Sequence, residues 1–435
     1  MFIFFLNTKQ SSHMTRQIVA PIILIWLTNL QLSFADVTVP EYIELTLNEN
    51  TAISITKFGE SGDRILWIPT EYGINKEKHY DLLTSLSGFK HEVWLANLHE
   101  SYFIPSGRSS YTKVPVDDIA ELIEKSIPAD ERKLFIASTG RGAALSLMAI
   151  NRWQSITSNI NKFAGVIMIH PNFQADTPAP GTAMQYLPII DSTQLPIFIL
   201  QPEKSNKYWY LTELVDSLSD AGSQVYTKVI QQVSDGYHVR PDATDTEIQL
   251  AKNLPRQIKA AINLLTKTKV VADKKHIDSE TWTITAVPEL LQIYPENPPA
   301  PALALQDIEG KRYNLKDHQG KVIVLNFWAT WCPPCVEEIP SLGRLQKAFS
   351  KDDLLVWSVD IGESKNEVEK FLNNVQANFP VLLNSEGDMV KQWQIIAFPT
   401  TFIIDRHGNI KLTYFGGLEW DNPVVIKQIQ AVVDP

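Results

Sequence analysis

Cysteine is almost missing from this chain, with two residues in 435. A structural zinc site needs four ligands, usually two cysteine pairs or a cysteine pair with spaced histidines. No second pair exists, and the nine histidines are scattered. Basic blocks are missing as well. With a formal net charge of −10 this argues against nucleic acid as a partner. Long apolar runs are scarce. The one candidate, Ile18 to Leu32, is broken by Pro21, Asn29 and Gln31. It is too short and too polar for a spanning helix, and no other stretch could cross a bilayer. No cysteine follows it directly, which argues against a lipid-anchored terminus. There is no internal repeat and no low-complexity tract.

The two cysteines that are present stand together in Trp331-Cys332-Pro333-Pro334-Cys335. A buried-type apolar run, Val322 to Trp328, precedes them. A helical pattern of Val336, Ile339, Leu342, Leu345 and Phe349 follows. Cys332 therefore falls where a strand turns into a helix. The amides of a helix N-terminus favour a thiolate, the form that attacks disulfides. A second thiol three positions on can resolve the mixed disulfide. A purely structural bridge across two residues would be an odd staple for a domain of this size, so the pair reads as a redox-active dithiol. No metal site and no cofactor is expected.

The segment Phe327-Trp328-Ala329-Thr330-Trp331-Cys332-Pro333-Pro334-Cys335-Val336-Glu337-Glu338-Ile339-Pro340 resembles the TlpA/ResA-like branch of the thioredoxin superfamily. The likeness extends over residues 297–435. Ala300 to Leu305 and Gly310 to Leu315 fit the opening strand and hairpin, and Glu363 to Trp393 fits the extra αβ unit of that branch. Ala397-Phe398-Pro399-Thr400 fits the cis-proline loop. The resemblance implies that Cys332 attacks and Cys335 resolves. Pro399 then shapes the groove, and the backbone of Phe398 pairs with an extended client. Trp331, Pro333, Pro334, Phe398 and Thr400 are expected to line the client site. Glu338 matches an acidic position that tunes thiol ionisation; the plain alternative is a solvated acid in the first helical turn. Asn326 stands where ordinary thioredoxin has a buried Asp, and an amide cannot shuttle a proton as a carboxylate can. Pro340 is assigned no chemistry. The implied partners are disulfide-containing protein clients, apocytochrome c among them, and a membrane electron donor of the DsbD/CcdA type.

Export fits this chemistry. Lys9 and Arg16 precede the apolar run, and Ser33-Phe34-Ala35 offers small residues for cleavage. Residues 1–35 are thus expected to be a secretory signal leading to the periplasm, with an uncleaved membrane anchor as the alternative. Having no cysteine beyond the pair avoids wrong pairings in an oxidising compartment. Length calls for two domains after the signal. A Pro-dense stretch, Tyr294 to Pro301, marks a linker set at 271–296.

Residues 36–270 alternate short apolar runs with helical patterns. Candidate strands are Ile65–Ile68, Glu92–Leu95, Lys133–Ala137, Gly165–Ile169, Ile197–Leu200 and Val225–Ile230, with helices at Val116–Lys125 and Ala143–Trp153. This predicts an α/β class with a parallel sheet and helices on both faces. The order resembles an α/β-hydrolase, so the whole chain reads as a hydrolase-like domain followed by a thioredoxin-like fold. Ser138-Thr139-Gly140-Arg141-Gly142 falls where that fold carries its G-x-S-x-G nucleophile elbow. The centre is Gly140, which has no nucleophile. Pro69-Thr70 stands where His-Gly is usual. Asp235-Gly236-Tyr237-His238 is placed like the catalytic histidine loop, with Glu203 the acid near the end of the strand before it. A shifted frame promotes Ser138 or Thr139 to nucleophile and makes the chain a bifunctional esterase with a redox module. Otherwise the domain is inactive, and a platform that delivers clients to the dithiol is the non-enzymatic alternative; His238 is then a hydrogen-bonded loop histidine.

Overall fold

The computed structural model describes residues 40–48, 51–175, 180–182, 184–268 and 290–435. The expected signal and residues 271–289 of the expected linker lie outside the described residues. The described residues cluster as one compact unit built on two eight-stranded sheets. Among the described residues no helix is long and apolar enough to cross a membrane.

The first sheet contains β1 (Glu41–Asn48), β2 (Thr51–Phe58), β3 (Arg64–Ile68), β4 (Glu92–Ala96), β5 (Leu134–Thr139), β6 (Phe163–Ile169), β7 (Pro196–Lys204) and β8 (Gln224–Ser234). They lie in the order β1-β2-β4-β3-β5-β6-β7-β8. From β4 to β8 all pairs are parallel, whereas β2 runs antiparallel to both β1 and β4. All six candidate strands form, each within a residue or two at its start. The antiparallel β1 and β2 were missed because β1 is mostly exposed and carries no apolar run. The helices are α1 (Lys76–Ser87), α2 (Leu98–Ser101), α3 (Val116–Ser126), α4 (Gly142–Ile156), α5 (Leu211–Asp220), α6 (Asp245–Ala251) and α7 (Leu254–Leu265). Alternation along β5 sends Leu134 and Ile136 to one face, with Ile119, Ile123 and Leu145 of α3 and α4. Phe135 and Ala137 go to the other face, with Leu83, Leu86, Ile258 and Ile262 of α1 and α7. A sheet covered on both faces is why β5 and β6 read as unbroken apolar runs.

The second sheet contains β9 (Gln292–Ile293), β10 (Ala304–Asp307), β11 (Arg312–Asn314), β12 (Val322–Trp328), β13 (Leu354–Ile361), β14 (Val381–Asn384), β15 (Thr400–Ile404) and β16 (Ile410–Phe415). Its order is β11-β10-β14-β13-β12-β15-β16-β9. β12 pairs parallel with β13 and antiparallel with β15. Its helices are α8 (Pro333–Ala348), α9 (Lys365–Leu372), α10 (Met389–Gln392) and α11 (Pro423–Val433). This is a thioredoxin-like fold, in which α9, β14 and α10 lie within Glu363–Trp393. Its sheet starts ahead of Asn297, because Ile293 pairs with Leu412. β12 alternates like β5: Val324 packs with both cysteines and Ile339, while Leu325 and Phe327 pack with Trp357 and Phe402.

Candidate active site

The central strand β12 ends at Trp328, and Cys332 is the N-cap of α8. Pro333 and Pro334 fill the first helical positions. Proline is at home there, since its missing N–H would lack an intrahelical partner anyway and its φ is already helical. The Cys335 and Val336 amides both donate to the Cys332 carbonyl, at 3.0 and 3.1 Å. The chain turns so tightly that the two sulfurs are joined, forming a Cys332–Cys335 disulfide. Cys332 is 5% exposed and Cys335 fully buried. The outer sulfur is therefore the one open to attack from outside. Phe398–Pro399 is a cis peptide bond. Trp331 meets Phe398 edge-on, with ring centroids 5.7 Å apart. Thr400 opens β15 opposite Phe327, and its hydroxyl donates to the Ala397 carbonyl at 2.7 Å, closing the loop on itself. Pro333 and Pro334 are exposed beside the dithiol.

Glu338 is not a solvated first-turn acid. It is 3% exposed, one helical turn beyond Cys335 and on the same face of α8. Asn326 donates to its Oε1 at 2.7 Å, while Trp420 Nε1 and the Leu418 amide donate to Oε2 at 2.9 and 3.2 Å. Burial outweighs these donors and pushes the Glu338 carboxyl up to about 8. Such a group holds a proton at neutral pH. Asn326, the amide noted in the sequence, thus bonds directly to the Glu338 carboxyl. Asn326 also donates to Thr401 at 2.9 Å, which ties β12 to β15 under the dithiol.

Glu363, just past the end of β13, grips the approach to Cys332. It accepts from both the amide and the hydroxyl of Thr330, each at 2.6 Å. Buried Asp360 nearby is pushed well up, first by burial and then by the charge of Glu363, which favours its neutral form. Sequence reasoning missed Glu363, Leu418 and Trp420. Their contacts are made across 33 to 82 positions of chain, so no local pattern marks them.

The first sheet has a second strand-to-helix turn, at Gly140 between β5 and α4. Gly140 has φ +54°. A Cβ there would lie 2.6 Å from Glu71 Oε2 and 2.9 Å from Thr70 Oγ1. That same Glu71 oxygen accepts the Arg141 amide at 2.9 Å and the Thr70 hydroxyl at 2.8 Å. The turn opens on a cleft of about 670 Å³ lined by Glu71, Gly140, His170, Asn172, Lys207 and Asp235, among others. Asp235 accepts from Lys207 at 2.7 Å. Ser138 and Thr139 are buried within β5 and do not reach the cleft. His238 is 5% exposed and faces a separate cavity of about 220 Å³. Its imidazole is held well below its ordinary range by burial, and neither ring nitrogen has a partner among the described residues. His238 is therefore not the hydrogen-bonded loop histidine of the plain alternative. Its ring lies 5.8 Å from that of His170, the histidine that does line the cleft. Glu203 accepts the Gln232 amide at 2.9 Å and is not among the cleft residues. No group of three or more potential ligand residues capable of holding a metal occurs among the described residues.

Residues 297–413 match the AhpC/TSA family. A thiol-disulfide oxidoreductase ResA from Geobacillus thermodenitrificans is 37% identical over 112 residues, which is 26% of this chain and 64% of that protein. The thioredoxin-like protein YneN of Bacillus subtilis is 35% identical over 124 residues, 28% of this chain and 72% of that protein. The chain thus spans just under two thirds of the ResA proteins it matches. Among solved structures, StoA from Bacillus subtilis is 28% identical, with a TM-score of 0.27, covering 31% of this chain and 98% of StoA.

Proposed function

We propose that this chain, which belongs to the AhpC/TSA family of thioredoxin-like proteins through its residues 297–413, is an exported thiol–disulfide oxidoreductase that reduces protein disulfides. The observation that carries the reading is the dithiol itself: Cys332 outermost at a helix N-terminus, Cys335 sealed behind it, cis-Pro399 alongside and a proton-holding carboxyl one turn away. The Cys332 thiolate attacks one sulfur of a client disulfide. That S–S bond breaks, and the departing client sulfur takes up a proton. Cys335, as a thiolate, then attacks the Cys332 sulfur and expels the second client sulfur, which takes up the proton that Cys335 gave up. The client gains two electrons, and the protein is left with the Cys332–Cys335 disulfide. A membrane donor of the DsbD/CcdA type returns the two electrons. Apocytochrome c is the client class favoured by the ResA likeness.

The first domain reads as an α/β-hydrolase-like fold without hydrolase activity. The parallel sheet covered on both faces and the left-handed turn at Gly140 support the fold. The absence of a side chain at Gly140 argues against activity. So does Glu71, whose carboxylate takes up the Arg141 amide, the N–H that would otherwise face an oxyanion. This disfavours the bifunctional-esterase reading.

Trapping decides the main proposal. Full-length Cys335→Ala protein, incubated with exported proteins of a Gram-negative host, is expected to accumulate mixed disulfides that reductant dissolves. Failure to trap any client would contradict the reading. The mature protein is expected to begin near Asp36 in the periplasm. N-terminal sequencing checks this, and an intact Ile18 to Leu32 segment in membranes would favour the anchor.

A further inference from the structure

The cis-proline loop is held from behind by the first domain. Ile395 and Ile396 are buried, and their carbonyls need donors. These donors come from loops of the first sheet. Asn206 Nδ2 donates to the Ile396 carbonyl at 2.6 Å, Gln174 Nε2 to the same oxygen at 3.2 Å, and Tyr210 OH to the Ile395 carbonyl at 3.0 Å. Between Asn206 and Tyr210, Trp209 lies so close to the second domain that a Cβ at Gly387 would fall 2.0 Å from its ring, and one at Gly362 2.7 Å. Both glycines leave room for the indole. An ion pair from Lys391 to Glu213, at 2.6 Å, crosses the same boundary.

A peptide unit is rigid, so fixing the Ile396 carbonyl fixes the plane that leads into Ala397. Phe398 and cis-Pro399 follow at once. An extended client pairs with the Phe398 backbone, and such pairing depends on where the loop's N–H and C=O groups point. We infer that Asn206 and Gln174 are positioning residues that hold the cis-proline loop in its client-binding geometry, so that the first domain completes a groove belonging to the second. This rests on the oxidoreductase reading. It gives the first domain a role that needs no ligand in its own cleft.

The test compares two substrates on the same full-length protein. One is an extended peptide containing a disulfide, which must pair with the loop. The other is 2-hydroxyethyl disulfide, which has no backbone to pair. For Asn206→Ala the ratio of kcat/KM values, peptide over small disulfide, is expected to fall roughly three- to ten-fold, the worth of one hydrogen bond. Asn206→Asp should fall at least as far, because a carboxylate then faces the carbonyl. Gln174→Ala should fall less, in line with its longer bond. Lys391→Ala, which breaks only the ion pair, should leave the ratio unchanged. An unchanged ratio in both Asn206 variants, or an equal drop in Lys391→Ala, would overturn the inference. Damage that merely loosens the fold lowers both rates together and leaves the ratio alone, so it too counts against it. A wild-type protein inert toward both disulfides would sink the oxidoreductase reading instead.

Discussion

The molecule contains the same local device twice. In each sheet a buried central strand runs into a tight turn and then a helix, β5 to α4 at Gly140 and β12 to α8 at Cys332. Reactive groups collect at such places because the strand end is rigid and the helix N-terminus supplies free amides. At Cys332 the turn presents a sulfur. At Gly140 it presents no side chain, and the amide of Arg141 is taken by Glu71. Buried carboxyls attend both turns, but they do opposite things. Glu338 lies one turn into the helix, where burial leaves it able to hold a proton. Glu71 reaches back over the turn and fills it. Geometry that favours chemistry is therefore separable from the chemistry, and the apex side chain together with the carboxyl beside it decides between them.

The comparison breaks most sharply at Cys332. Cys332→Ser should lower disulfide reduction below detection, whereas Cys335→Ser should stall as a covalent mixed disulfide visible on non-reducing gels. Equal residual turnover in the two variants would remove the distinction between attacking and resolving thiol.

Glu338→Gln sharpens the contrast between the two carboxyls. Glu338 has a folded-state pKa of about 8, above the ordinary carboxyl value of 4.5. The folded state therefore holds the proton more tightly than the unfolded chain. Its contribution is fully present below pH 4.5 and is lost as pH rises toward 8, at about 1.4 kcal/mol per pH unit within that window. Glu338→Gln should abolish this loss. Measured by urea unfolding of the disulfide-bonded proteins, the variant should gain on wild type by on the order of a few kcal/mol between pH 5 and pH 8. Parallel curves would contradict the assignment.

Gly140→Ser puts a hydroxyl at the apex of the vacant turn. The new Cβ meets Glu71 Oε2 at 2.6 Å in a left-handed backbone. The substitution should destabilise by about 1–3 kcal/mol and confer no ester hydrolysis. A gain of hydrolysis would show that Glu71 does not close the turn. Smallest of all, a fluorophosphonate probe should leave every serine of residues 36–270 unlabelled in the natural protein. Labelling at Ser138 would revive the esterase reading.

Much of this was legible in the sequence for a physical reason. The parallel strands are buried on both faces, so they appear as apolar runs, and the Cys332 turn is written in consecutive residues. What escaped was set by distant contacts. Glu338 could be singled out, but its burial under Leu418 and Trp420 could not. Asn326 was noticed as a missing carboxylate, yet its bond to Glu338 joins a strand to a helix. At the second turn, Gly140 announced the missing nucleophile, while Glu71 looked like any acid after a strand. His238 stands in the chain where a catalytic histidine belongs, but the fold turns it toward another cavity and seats His170 in the cleft. The hold of Asn206 and Gln174 on Ile396 spans about two hundred residues and left no local trace.

The order in which the two thiols react tests the central claim most directly. Reduced full-length protein, alkylated with limiting iodoacetamide and mapped by peptide, should carry the label on Cys332 well before Cys335, because Cys332 is the outer sulfur at the helix N-terminus. Faster labelling of Cys335 would contradict the account.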